Sequence, residues 1–240
     1  MENRELIRVE MRDPGLLWVT LNTPPLNLQS LESMEQLEKI LDYIERDTSI
    51  HALVLTGSGD RVFCAGSDVK EFPSLRQRFV EAKLRRENNV FSRLSELPIP
   101  TIAALNGTAM GGGFELALCC DFRILTQGTQ IGFPEINLGN FPGSGGPMRL
   151  VRLIGPARAF ELMALGTSLT GETAKALGLV HKVVPKDKLE SSALAMAKSL
   201  MAVSPDTFAL WKELTYAAAF ESSAQAIEHA KRSVQLHRKM

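Results

Sequence analysis

The chain has 240 residues, 45% hydrophobic and 22% charged, which suits one ordinary globular α/β unit. Lys+Arg and Asp+Glu both number 27, so no net field draws in nucleic acid or an acidic membrane. The three cysteines (Cys64, Cys119, Cys120) form no disulfide framework and no zinc spacing, and no apolar run approaches the roughly 20 residues of a membrane helix. The first residues carry neither a signal core nor transit character, so a cytoplasmic protein is expected.

In chain order, strands are expected over 6–9 and 16–21, joined by the turn Asp13-Pro14-Gly15. Pro24-Pro25 enforces an extended loop carrying Leu26 and Asn27. Ser30 is a good N-cap for a helix to about residue 44, with Leu31, Met34, Leu37, Leu41 and Ile44 on one face. A strand over 51–56 follows, then another over 62–68 that ends in small residues. Residues 75–97 read as one helix with Phe79, Leu84, Val90, Phe91 and Leu94 at helical spacing, and Pro98 and Pro100 end it. Arg85-Arg86 reads as its solvated face.

The stretch 102–146 organises the rest. An apolar strand over 102–105 breaks at Asn106-Gly107, and Gly111-Gly112-Gly113 leads into a short helix over 114–120. Consecutive glycines let backbone approach a ligand closely, and a helix start adds unpaired N–H groups that suit a developing anion. Glu115 falls in that helix's first turn, and Glu135 lies on the loop beyond, after Pro134. Each has a plainer reading alone: the helix dipole favours Glu115, and Glu135 reads equally as a surface or ion-pair residue. Together, two carboxylates around one water can divide acid and base roles.

Helices are expected over 147–154, 157–165 and 171–177, a strand over 180–184, and two or three closing helices over about 187–202, 205–219 and 222–238. That gives an α/β core over 1–185 and a helical region over 186–240 within the same unit. Other glycine-rich motifs fail on spacing: there is no G-x-G-x-x-G, no G-x-x-x-x-G-K-[ST] and no G-x-S-x-G. The four histidines are scattered, and Cys64 has no evident partner, so metal and triad chemistry are not expected.

At these residues the chain resembles the crotonase superfamily of enoyl-CoA hydratases and isomerases. The matching blocks are Pro25-x-Asn27, F-C-A-G-S-D-V-K at 63–70, A-x-N-G-x-x-x-G-G-G-x-E-L-A-x-x-C-D at 104–121 and P-E-I-N-L-G-x-x-P-G-x-G-G at 134–146. A-x-x-x-G-L-V at 174–180 is also similar, so the likeness spans essentially the whole chain in order.

The resemblance implies a ClpP/crotonase-type spiral of ββα units with C-terminal helices that build a homotrimer, commonly paired into a hexamer. It implies an acyl-CoA substrate, with coenzyme A part of the substrate and no separate cofactor or metal. Two backbone N–H groups, of Ser67 and Gly112, would form the oxyanion hole; most hydratases have Ala where this chain has Ser67. Leu26, Ala65, Ser67, Asp68, Val69, Lys70 and Gly112 would line the thioester site, with Lys70 towards the nucleotide. Pocket-wall residues are expected from the 75–90 segment.

Glu115 and Glu135 match the two glutamates that hold water in hydratases, while the family's isomerases generally keep the second and often lose the first. Reversible hydration of a trans-2-enoyl-CoA is therefore the expected activity. A Δ3,Δ2-enoyl-CoA isomerase with Glu135 as its single base is one alternative, and a non-catalytic acyl-thioester-binding scaffold is another. The family's closing F-x-x-K-R-type segment, which reaches the CoA nucleotide, has no match after Lys231-Arg232, so altered nucleotide contacts are expected.

Overall fold

The computed structural model describes residues 5–75, 78, 80–220 and 222–237. Phe79 of the expected apolar stripe and Arg238 at the expected end of the last helix lie outside the described residues.

Through the middle of the chain, successive strands alternate between two sheets. β1 (Ile7–Asp13) and β2 (Leu16–Leu21) form an antiparallel hairpin at the edge of the larger sheet. β3 (Ala52–Gly57) joins β2 in parallel, while β4 (Val62–Cys64) starts the smaller sheet. β5 (Thr101–Leu105) returns to the first sheet, and β6 (Thr108–Met110) to the second. β7 (Phe122–Thr126) and β8 (Gln130–Gly132) repeat the step. Register runs Val54↔Ile102↔Phe122 in the larger sheet, and Val62↔Thr108 and Ala109↔Ile131 in the smaller. β9 (Ser168–Thr170) closes the smaller sheet antiparallel to β8, and β10 (Lys182–Val184) lies parallel to β7. This is the expected spiral of ββα steps.

Every residue of β3 and β5 is buried, as parallel strands covered on both faces require. Alternation then divides their side chains. Leu53, Leu55, Ala103, Leu105 and Leu125 pack in one core with α1 (Leu31–Arg46), α3 (Arg85–Glu96) and α4 (Gly112–Leu118). Ala52, Val54, Ile102, Ala104 and Ile124 form a second core against Leu189, Ala193 and Ala197 of α7 (Leu189–Met201). α1 begins where Ser30 caps it: the Ser30 hydroxyl accepts from Ser33 N at 3.1 Å, and the Ser33 hydroxyl accepts from Ser30 N at 2.9 Å.

The structure differs from the sequence reading in three places. The expected strand over 62–68 stops at Cys64, because the next residues pair instead with loop 26–29. The helix expected over 75–97 is not continuous. A short α2 (Phe72–Leu75) comes first, and a single wide turn, Val80–Leu84, then feeds α3. β6 to β9 were not expected; at three to five residues they are too short for period-two alternation to show.

α5 (Gly146–Leu165) bends at Gly155, whose φ is 77°, between the two segments read from sequence. α6 (Gly171–Ala176), α8 (Pro205–Phe220) and α9 (Ser223–His237) lie close to their expected spans. Among the described residues, no helix is long and apolar enough to cross a membrane.

Candidate active site

A cavity of about 110 Å³ opens where five chain segments converge. Ala65, Gly66, Ser67 and Val69 come from the loop after β4, and Gly111, Gly112 and Glu115 from the start of α4. Pro134, Glu135 and Leu138 come from the loop after β8, Lys83, Leu84 and Glu87 from the wide turn and α3, and Gly143 and Ser144 from the entry to α5. The 75–90 segment thus supplies a wall, as expected.

Loop 26–29 acts as a short strand laid along 65–68. Ala65 N donates to Leu26 O at 2.9 Å, Gln29 N to Gly66 O at 2.9 Å, and Asp68 N to Gln29 O at 2.9 Å. In that pairing the N–H of Ser67 is turned away from Gln29. Asn27 holds the loop itself, donating to Ser58 O and Val62 O, both at 2.9 Å.

Across the cavity, Gly111 turns the chain from β6 into α4 with φ 53°. A Cβ there would fall 2.7 Å from Glu135 Oε1, so only glycine both makes the turn and admits the carboxylate. Gly112 follows as the first helical residue, where an N–H has no partner within its own helix. A Cβ placed on Gly112 would lie 3.4 Å from the Ser67 hydroxyl, so the two backbone segments face each other closely.

Glu115 is 2% exposed, and its Oε1 accepts from Ser144 N at 2.9 Å and Gly146 N at 2.7 Å. Burial pushes its carboxyl from 4.5 up to about 7; the two N–H bonds oppose that rise, and the charges of Glu135 and Glu87 add to it. A Cβ on Gly146 would come within 2.7 Å of Glu115 Oε1, so that close approach also requires glycine. Burial likewise raises Glu135, whose Oε2 is buried with no hydrogen-bond partner. One carboxylate is anchored, then, and the other keeps an oxygen free. Both carboxyls are thus held above the ordinary range by burial, and the charge of Glu135 adds to the rise at Glu115.

Of the residues singled out from sequence, Ala65, Ser67, Val69, Gly112, Glu115 and Glu135 meet at this cavity. Leu26, Asp68 and Lys70 do not line it. Leu26 is 45% exposed and contributes its carbonyl to Ala65. Asp68 accepts from Lys70 N at 3.1 Å at the start of a single helical turn, and Lys70 is exposed. Cys64 is fully buried, and burial pushes its thiol up to about 12, which leaves it no nucleophilic part.

Sequence reasoning missed Gln29, Lys83, Glu87 and Ser144. Lys83 and Glu87 are i,i+4 and continue the stripe of Val90, Phe91 and Leu94; that phase is the one signal of their burial, against the usual solvated reading of a charged pair. Gln29 and Ser144 sit in loops with no periodicity to place them.

The family model for enoyl-CoA hydratase/isomerase matches residues 12–239. A "Probable enoyl-CoA hydratase" of Bacillus subtilis (strain 168) is 39% identical over 201 residues, 82% of this chain and 77% of its own. The "Short-chain-enoyl-CoA hydratase" of Clostridium acetobutylicum is 35% identical over 216 residues, covering 86% and 83%. Among solved structures, an enoyl-CoA hydratase from Bacillus anthracis superposes with a TM-score of 0.92 at 35% identity, covering 96% of this chain and 90% of that one. With this fold, this arrangement of glycines and carboxylates, and matches across nearly the whole sequence, the chain belongs to the enoyl-CoA hydratase/isomerase family.

Proposed function

We propose that the protein adds water reversibly across the double bond of a trans-2-enoyl-CoA. The thioester oxygen sits between the N–H groups of Ser67 and Gly112, which stabilise the negative charge it gains as the enolate forms. Glu115 and Glu135 hold the water between them. Hydroxide adds to C3, the proton it leaves behind passes to the carboxylate pair, and a proton from the pair goes to C2, so atoms and charge balance over the cycle. The observation that carries this reading is the pairing at one cavity of an anchored Glu115, lifted to about 7, with a Glu135 whose Oε2 has no partner.

The free oxygen of Glu135 also supports a second reading, in which Glu135 alone moves a proton between C4 and C2 of a 3-enoyl-CoA. Two spectrophotometric assays separate them. Loss of the conjugated thioester from crotonyl-CoA is expected, with Glu115→Gln and Glu135→Gln each lowering the rate by about a hundredfold or more. Gain of conjugation from 3-hexenoyl-CoA, with full activity in Glu115→Gln, would replace hydration by isomerisation.

Copies of the chain are proposed to assemble as a homotrimer or a pair of trimers. The exposed apolar side chains of α5, Phe160 and Leu165 among them, support that assembly.

A further inference from the structure

The cavity is lined by an ion pair that the proposed reaction does not use. Lys83 is 1% exposed and Glu87 2%. Lys83 Nζ lies 3.1 Å from Glu87 Oε1 and 3.6 Å from Glu71 Oε2, and donates to Gln29 O at 3.0 Å. The ammonium thus has one carbonyl acceptor and two carboxylates around it. A buried ion pair is seldom worth more to stability than apolar side chains of the same volume. The turn that places this one is itself irregular: Val80–Leu84 is a wide turn, a form that recurs at functional sites.

What Glu87 holds is informative. Its Oε1 accepts from the Ser67 hydroxyl at 3.1 Å, and its Oε2 from the Ser144 hydroxyl at 2.8 Å. Ser67 is the residue whose N–H faces the thioester oxygen in the reaction above. Ser144 is the residue whose N–H donates to Glu115. The Lys83 side reaches the third member: Gln29, whose carbonyl Lys83 binds, donates through Nε2 to Gly112 O at 2.9 Å. α3 grips the same loop a second time, through Asn88 Nδ2 to Gly143 O at 3.0 Å. One buried pair is therefore one hydrogen bond away from Ser67 and Ser144, and two away from Gly112.

We propose that the Lys83–Glu87 pair is the positioning element of this site, holding the two oxyanion-binding N–H groups and Glu115 in a common register through Ser67, Gln29 and Ser144. Neither residue is catalytic. The inference rests on the assignment of Ser67 and Gly112 as the oxyanion donors, and the binding arm of its test does not depend on which reaction follows.

The probe is acetoacetyl-CoA, whose enolate absorbs in the near ultraviolet and places its charge where the N–H groups converge. Binding is measured by titration, with CoA alone as reference, for four proteins: the parent, Ser67→Ala/Ser144→Ala, Lys83→Met/Glu87→Gln, and the fourfold variant. The serine pair leaves the ion pair intact and removes only its grip on the two loops. It is expected to weaken acetoacetyl-CoA about tenfold, leave CoA unchanged and lower kcat for crotonyl-CoA more than it raises KM. In the Lys83→Met/Glu87→Gln background the same serine changes should cost less than about twofold, because coupled contacts are not additive.

Parent-like affinity and absorbance in Ser67→Ala/Ser144→Ala would overturn the proposal, as would serine effects that multiply undiminished in the fourfold variant. If Lys83→Met/Glu87→Gln does not fold, the serine pair alone decides. A parent that binds the enolate but does not hydrate crotonyl-CoA removes the hydratase reading and leaves the positioning result standing. A parent that binds acetoacetyl-CoA no better than CoA removes both.

Discussion

Burial holds the Glu115 carboxyl at about 7 in the folded chain, against 4.5 for an ordinary glutamate. Between those values the folded protein keeps a proton that the unfolded chain has released, so stability falls as pH rises. The contribution is complete below about 4.5 and gone above about 7, a difference of roughly 3 kcal/mol. Glu115→Gln removes the charge and keeps an oxygen that can accept from Ser144 and Gly146. Its thermal midpoint should exceed the parent's by roughly 6–12 °C at about pH 8, and the gap should close towards pH 4.5. A gap that does not change with pH would mean that Glu115 is not the group holding the proton. The same variant is expected to lose activity, so stability and function part company at this residue. Both glutamates were legible in the sequence because glycines mark the turns around them. Lys83 and Glu87 were not, because a charged i,i+4 pair on a helix usually reads as solvated, and only its phase with Val90 and Leu94 reveals it as buried.

At the scale of elements, α4 decides where the Gly112 N–H lies, and its seat against β4 is tight. A Cβ on Gly113 would fall 2.1 Å from the Cys64 carbonyl oxygen, and backbone cannot swing aside as a side-chain tip can. Gly113→Ala must therefore slide α4 along or away from β4, carrying Gly112 from Ser67. Overpacking of this kind costs about 1–3 kcal/mol of stability. Hydration of crotonyl-CoA should fall further than the folded fraction does, by about tenfold or more, and calorimetry run beside the kinetics separates the two. A rate that merely follows the folded fraction would show that α4's seat does not set the oxyanion geometry. Elements of this size mark the limit of what pattern reveals. α1 was legible because its 16 residues repeat an apolar face and Ser30 caps it. The strands β6 to β9, three to five residues long, owe their existence to neighbours already in place, which no local period records. β4 was overextended for the same reason: residues 65–68 pair with loop 26–29 and not with a strand of the sheet.

At the scale of the whole molecule, α5 carries several exposed apolar side chains among the described residues. Phe160 is 71% exposed and Leu165 62%, with Met148, Val151 and Leu153 also exposed along α5 and Trp211, at 68%, on α8. Single exposed apolar residues are normal, but a run along one helix is the kind of surface through which the proposed assembly would form. The cavity has the same unfinished character. Leu138 and Phe141 line it, yet they are 73% and 65% exposed, so part of the wall proposed to meet the acyl group faces solvent in one chain. Assembly through α5, which follows directly on the 143–146 loop, would bury that wall as well. Light scattering should therefore give three or six times the chain mass for the parent. Phe160→Glu places a charge in the centre of the apolar run and should shift the mass towards one chain at micromolar concentration. Because the open wall meets the acyl group before and during the reaction alike, the dissociated variant should show a raised KM for crotonyl-CoA with kcat much less affected. A parent that stays monomeric at every concentration would refute the assembly. A dissociated variant with an unchanged KM would show instead that each chain completes its own acyl pocket.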